Sequence, residues 1–221
     1  MATVAGAPTI YRNVAEMLEA LGDVPPARVM VSPVPMGSAT EADVLEMHRL
    51  HNRLFELVDG VLVEKSMGYS ESFLAGIILT LLNQFVLPRN LGLVSGADGM
   101  MRLVPGLVRI PDVAFAAWDR FPDGRVPTAP IPALAPSLAV EVLSLSNTAK
   151  EMARKRREYF ETGTNLVWIV DPEARTVQVY TSPDDFVTLD ESATLDGGDL
   201  LPGFELPLRN LFSELDRRAD G

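Results

Sequence analysis

Three polar side chains stand inside apolar segments, where folding alone does not ask for them. Asp112 follows Ile110-Pro111 and opens the run Val113–Trp118. Glu141 interrupts Leu138–Leu143. Lys155 lies on residues 148–162, a stretch with helical punctuation. A carboxylate in a buried strand is costly unless it is paired, protonated or bound to a cation. Two of them on successive strands suggest a shared site. Two carboxylates completed by carbonyl oxygens and waters suit Mg²⁺ or Mn²⁺. Strand parity places Glu141 with Ala139 and Leu143, and Asp112 with Ala114 and Ala116. The small alanines would leave room for water and an ion; whether the two faces coincide is decided by the fold.

Each residue also has a structural reading. Asp112 could cap N–H groups where a strand starts. Glu141 could form a buried ion pair with Arg109 or Lys155. Residues 150–158 carry five basic side chains (Lys150, Arg154, Lys155, Arg156, Arg157) against Glu151 and Glu158. That cluster would draw a phosphate, or it is a solvated helix face. Arg156 falls on the apolar stripe expected from Ala149, Met152, Ala153 and Phe160, so it must snorkel or pair with an acid. His48 and His51 share a helix face, but a chain with 2 histidines and 0 cysteines builds neither a multi-histidine nor a zinc-thiolate site, and has no cysteine nucleophile. Asp59-Gly60 and Asp196-Gly197 read as hairpin turns.

The elements that must position these groups follow from periodicity and turn chemistry. A short helix is expected over 11–22 and an extended, proline-rich arm over 23–39. Thr40 and Asp43 begin a helix that ends near His51. Two β-favouring runs flank Asp59-Gly60, a hairpin signal. Residues 71–87 form a helix apolar on most of its surface, expected to be largely buried. Strands follow over 92–104, 109–118 and 137–143, with a proline-rich loop over 119–137. Thr148 and Glu151 cap a helix that Gly163 closes. Strands over 166–171 and 175–180 precede an acidic, turn-rich region and a last helix over 207–216. The reading divides the chain into an N-terminal helix and arm (1–39), a core (40–182) and an acidic extension packing on it (183–221). A mixed sheet flanked by helices results, in the α/β (α+β) class.

Charge bounds the partners. With 19 Lys and Arg against 30 Asp and Glu, the formal charge is −11, which argues against coating nucleic acid by bulk attraction. No apolar run is expected to span a bilayer and the start lacks a basic leader, so a cytoplasmic protein without a membrane partner is the expectation.

Taken together the residues resemble the Uma2 family of restriction-endonuclease-like proteins. The matching pieces are FELVDGVLVE at 55–64, RIPDVAF at 109–115, LAVEVLS at 138–144, Lys155 and Tyr159 within KRREYFETG, and VWIVDPEARTVQVY at 167–180. They span about residues 50–182. The family is similar to the PD-(D/E)XK nucleases, which implies a central mixed sheet between helices and a Mg²⁺ or Mn²⁺ ion held by acids on adjacent strands. Asp112 falls on the first acidic position and Glu141 on the second. Leu143 stands where the lysine usually does, and the resemblance moves that role to Lys155. Glu56 matches a recurrent family acid, implied to complete the metal site or to position Lys155. The implied activity is Mg²⁺-dependent hydrolysis of DNA, with a non-catalytic nucleic-acid-binding or regulatory module as the alternative. A homodimer through the 71–87 helix or the 23–39 arm is left open.

Overall fold

The computed structural model describes residues 9–31, 34–66 and 68–218. Two sheets carry the architecture. The first is five-stranded and antiparallel. Its order is β1 (Val29–Met30), β3 (Val61–Glu64), β2 (Phe55–Val58), β6 (Leu107–Arg109) and β5 (Met101–Val104). The second is six-stranded and mixed, ordered β11 (Phe186–Asp190), β10 (Thr176–Tyr180), β9 (Leu166–Asp171), β8 (Leu138–Val142), β7 (Val113–Ala117) and β4 (Gly92–Ser95). Within it β8 and β9 run parallel and the other neighbours antiparallel. A further hairpin pairs β12 (Thr194–Gly197) with β13 (Leu201–Pro207). The helices are α1 (Val14–Ala20), α2 (Glu41–His51), α3 (Tyr69–Arg89), α4 (Ala149–Glu161) and α5 (Leu208–Ser213). This is the expected mixed sheet flanked by helices, with the expected hairpin at Asp59-Gly60, whose residues adopt φ of 50° and 71° as a tight two-residue turn requires.

Residues 109–118 are not one strand. Pro111 has no N–H for a ladder, and the chain uses it to leave β6 and enter β7, passing from one sheet to the other. Ile110-Pro111-Asp112 is therefore the seam between the sheets.

Alternation then sorts the side chains. Val113, Phe115, Leu138, Val140, Val142, Trp168 and Val170 face α3, α5 and β13 in the largest core cluster. Phe204 of β13 stacks on Trp168 at 5.9 Å, so the acidic C-terminal segment supplies core as well as surface. The opposite side of β8–β10 presents Ala139, Val167, Ile169 and Tyr180 to Met152 and Tyr159 of α4. In the smaller sheet, Leu57 and Leu62 pack on α2, while Val58, Val61 and Val63 pack on Met17 of α1 and on Leu21, which caps it.

Two expectations change. Residues 26–30 do not form a free arm: they make a 3₁₀ turn and β1, which pairs Val29 with Val63. The α3 helix is not largely buried. Leu74, Ala75, Ile78, Leu82 and Val86 form its buried stripe, while Phe73 and Leu87 face outward. By length and composition α3 is also long and apolar enough to cross a membrane, contrary to the expectation that no segment is; here its stripe covers the six-stranded sheet.

Gly22 seats α1 on α4. Its φ is +89°, and a Cβ there would lie 2.7 Å from the Glu151 backbone. Gly22→Ala should therefore destabilise by more than about 1 kcal/mol, read as a lowered Tm against Gly106→Ala, which also has positive φ but nothing within 4 Å.

Candidate active site

The seam places the two acids. The β7–β8 register pairs Val113 with Val140 and Ala114 with Ala139; continued by one step, it sets Asp112 opposite Glu141. Two bonds lock that step: Asp112 N–H donates to the Val140 carbonyl (3.0 Å), and Val142 N–H donates to Asp112 Oδ2 (2.6 Å). Both acids thus share the face of Ala114 and Ala139, beneath α4, and are buried.

The α4 helix turns an unexpected face inward. Ala149, assigned to an apolar stripe, is exposed; the buried side chains are Glu151, Met152, Lys155, Glu158 and Tyr159. Each charge there has a partner brought from far along the chain. Glu151 makes a two-pronged pair with Arg28 at 2.9 Å. Lys155 Nζ lies 3.0 Å from Glu56 Oε1 and 3.3 Å from both oxygens of Glu141. Tyr159 donates its hydroxyl to Glu141 Oε1 at 2.7 Å. Glu158 accepts from Arg109 and Arg154.

Glu56 is fully buried on β2. Its Oε2 meets Arg109 at 2.7 Å, and its Oε1 accepts from Ile110 N–H at 3.1 Å. Asp112 Oδ1 meets Lys65 at 2.7 Å, and the same ammonium donates to the Ile110 carbonyl. Asp112, Glu141, Lys155 and Glu56, the four residues singled out from the sequence, are therefore one connected network. Among the described residues no three acidic or histidine side chains converge as a metal site. The reason is charge balance. Lys65, Arg109 and Lys155 interleave with Asp112, Glu56 and Glu141, and the oxygens of Glu56 are taken by Arg109, Lys155 and a backbone amide.

A family model described as "Uma2: Putative restriction endonuclease" matches residues 42–209. This chain belongs to the Uma2 family. The match is wider than the 50–182 expected and takes in α2 and the C-terminal strands that cover Trp168. A crystal structure of a "putative nuclease" from Anabaena variabilis has the same fold, with a TM-score of 0.68 at 22% identity over 78% of this chain and 98% of that one. No curated protein matches.

In this Uma2 chain the network sets the protonation states. Burial would raise the Glu56 carboxyl, but Lys155, Arg109 and Lys65 overcome that and hold it far below the usual carboxylate range. Burial would lower the Lys155 ammonium, yet Glu141 and Glu56 raise it above the ordinary lysine value. Lys155 is thus an ammonium at neutral pH. Glu141 differs from Glu56: burial raises it, and neighbouring Asp112 and Glu56 add to the rise against Lys155 and Lys65. Burial and Glu141 push the Tyr159 phenol well above its usual value, so it stays a hydrogen-bond donor.

Lys65 is the residue the sequence reading missed. A signal existed: it shares parity with Val61 and Val63, and Val63 pairs with Glu56, so its side chain heads for the face of Glu56. Nor is the basic cluster a free cationic surface. Lys150 pairs with Asp23, Arg154 with Asp59 and Glu158, and Lys155 with Glu56 and Glu141.

Proposed function

We propose that this Uma2 chain is a divalent-cation-dependent DNA endonuclease, with Asp112 and Glu141 as its cation-holding acids. The observation that carries the reading is their opposition in register on one sheet face, with the Lys155 ammonium on Glu141. Their donor chemistry, hard carboxylate oxygens from β8 and from the seam just before β7, fits Mg²⁺ or Mn²⁺. Such an ion, when bound, polarises a phosphate and acidifies a water.

The chain's own groups have distinct parts. Lys155 donates hydrogen bonds and offsets negative charge on the phosphate; being held protonated, it is not the proton acceptor. Glu56, locked by Arg109 and the Ile110 amide, positions that ammonium rather than binding the ion. Tyr159 orients Glu141. Lys65 neutralises Asp112 before the ion arrives. A non-catalytic module of the same fold is supported by one observation, the charge-balanced and buried state of the network, which is self-sufficient without a cation.

Plasmid nicking separates the two. With Mg²⁺ or Mn²⁺ the wild type should nick supercoiled DNA, and Asp112→Ala should not. Equal nicking by both would assign the activity to another site or a contaminant, and no nicking by either would favour the module. A pH prediction follows from Glu141. Because its carboxyl is raised, a proton competes with the cation above the ordinary glutamate range. Mn²⁺ affinity measured by calorimetry should fall as pH falls, starting above that range, with proton release on binding. Affinity unchanged down to the ordinary carboxylate range would contradict a raised Glu141 carboxyl at the cation site.

A further inference from the structure

Next to Glu141 the sheet opens into a cavity of about 290 Å³ lined by Ser144, Asn147, Met152, Arg156, Gln178 and Tyr180, among others. Leu143, just past the end of β8 and two residues from Glu141, and Ile169, the partner of Glu141 in register, also line it. The cavity therefore lies beside the candidate active site, with room for a phosphate group and waters.

Arg156 is the unexplained group in this wall. Its guanidinium lies 4.3 Å over the Tyr180 ring, which itself stacks on Phe186 at 4.7 Å. Stacking fixes the guanidinium plane. Its buried Nε–H has no acceptor among the described residues. The acid near it is Asp184, 3.8 Å from its terminal nitrogen and 94% exposed, too long for a hydrogen bond. An orphaned guanidinium N–H is costly. Lys150, Arg154 and Lys155 on the same helix all have acid partners, so Arg156 differs from them. Gln178 turns its carbonyl to the Tyr180 hydroxyl at 2.9 Å, which leaves its amide protons for an acceptor. The cavity thus offers a fixed cationic fork and a neutral donor, beside a site where a phosphate would react. In a chain of charge −11, phosphate affinity has to be local.

We infer that this cavity is a phosphate-binding subsite, anchored by Arg156 and assisted by Gln178, that takes a backbone phosphate of a polynucleotide beside the one at Asp112 and Glu141. The inference rests on the endonuclease reading for its substrate but not for its anion chemistry.

The test uses the full chain, Arg156→Met (which keeps the stem on Tyr180) and Arg156→Lys, each checked for an unchanged Tm. Inorganic phosphate and the dinucleotide TpT are titrated while the Arg156 Nε–H signal is followed by NMR. Binding of a labelled DNA duplex is measured across salt concentrations, and Mn²⁺ uptake by calorimetry. Both phosphate probes should shift the Nε–H signal saturably. Arg156→Met should weaken DNA binding at least tenfold and reduce the salt slope by about one; Arg156→Lys should retain part, and Mn²⁺ uptake should not change. DNA binding unaltered in Arg156→Met, or a signal that moves with inorganic phosphate but not with TpT, would overturn the backbone subsite. A wild type that takes up no Mn²⁺ yet shows the TpT shift and the tenfold loss would sink the endonuclease reading and leave the subsite standing.

Discussion

Arg109→Met should destabilise the protein by roughly 3–5 kcal/mol, the range for breaking a buried ion pair from one side. Arg109 ends β6 at the seam between the sheets and is 3% exposed. It bridges Glu56 and Glu158 at 2.7 Å each, and so ties the small sheet to α4. Methionine keeps most of the stem volume but removes the charge. Glu56 would keep Lys155, whereas Glu158 would keep only Arg154. The cost is that of carboxylates left partly unpaired away from water, not lost packing. Urea unfolding measures it. Adding Glu56→Gln to Arg109→Met should recover part of the loss, because one orphaned charge is gone. Removing the exposed, solvent-screened pair Arg12–Glu16 should leave stability almost unchanged. A loss that small at Arg109 would mean the network does not stay closed in solution.

The second large effect is on activity. Glu141→Gln and Lys155→Met should each reduce nicking by ~100–1000-fold or more, the scale for removing a charged group from a reacting phosphate's surroundings. They should differ in cause. Glu141→Gln keeps shape and the Tyr159 contact but gives up a cation-binding charge, so Mn²⁺ uptake falls with activity. Lys155→Met leaves both carboxylates ionisable and should bind Mn²⁺ at least as well, since an ammonium no longer competes for Glu141. Activity lost with Mn²⁺ uptake kept or improved would mark Lys155 as the group that acts on the phosphate. Both effects vanishing together in Lys155→Met would make it a structural support for Glu141.

What could be read from the sequence was what local rules decide. Parity within LAVEV put Glu141 on the face of Ala139, and that face is the one under α4. Asp59-Gly60 set the hairpin, and Thr148 the start of α4, where its hydroxyl accepts from Glu151 N–H at 3.0 Å. The Uma2 motifs added Glu56, and gave Lys155 its role. What was not legible depended on partners distant in sequence. Periodicity favoured an apolar stripe on α4, but Arg28, Glu56, Arg109 and Glu141 make its charged side the buried one. Lys65 was not singled out because its partner, Asp112 at 2.7 Å, lies across the seam and far along the chain. The split at Pro111 has the same origin: the RIPDVAF run looks continuous, and only pairing shows that its halves serve different sheets.

A crystal soaked in Mn²⁺ and examined by anomalous diffraction tests the central claim most directly. A peak is expected between the carboxylates of Asp112 and Glu141, with Lys155 still on Glu56 and no manganese ligated by Glu56. A protein fully loaded with Mn²⁺ whose peak lies elsewhere, with the Asp112–Lys65 and Glu141–Lys155 contacts undisturbed, would contradict it.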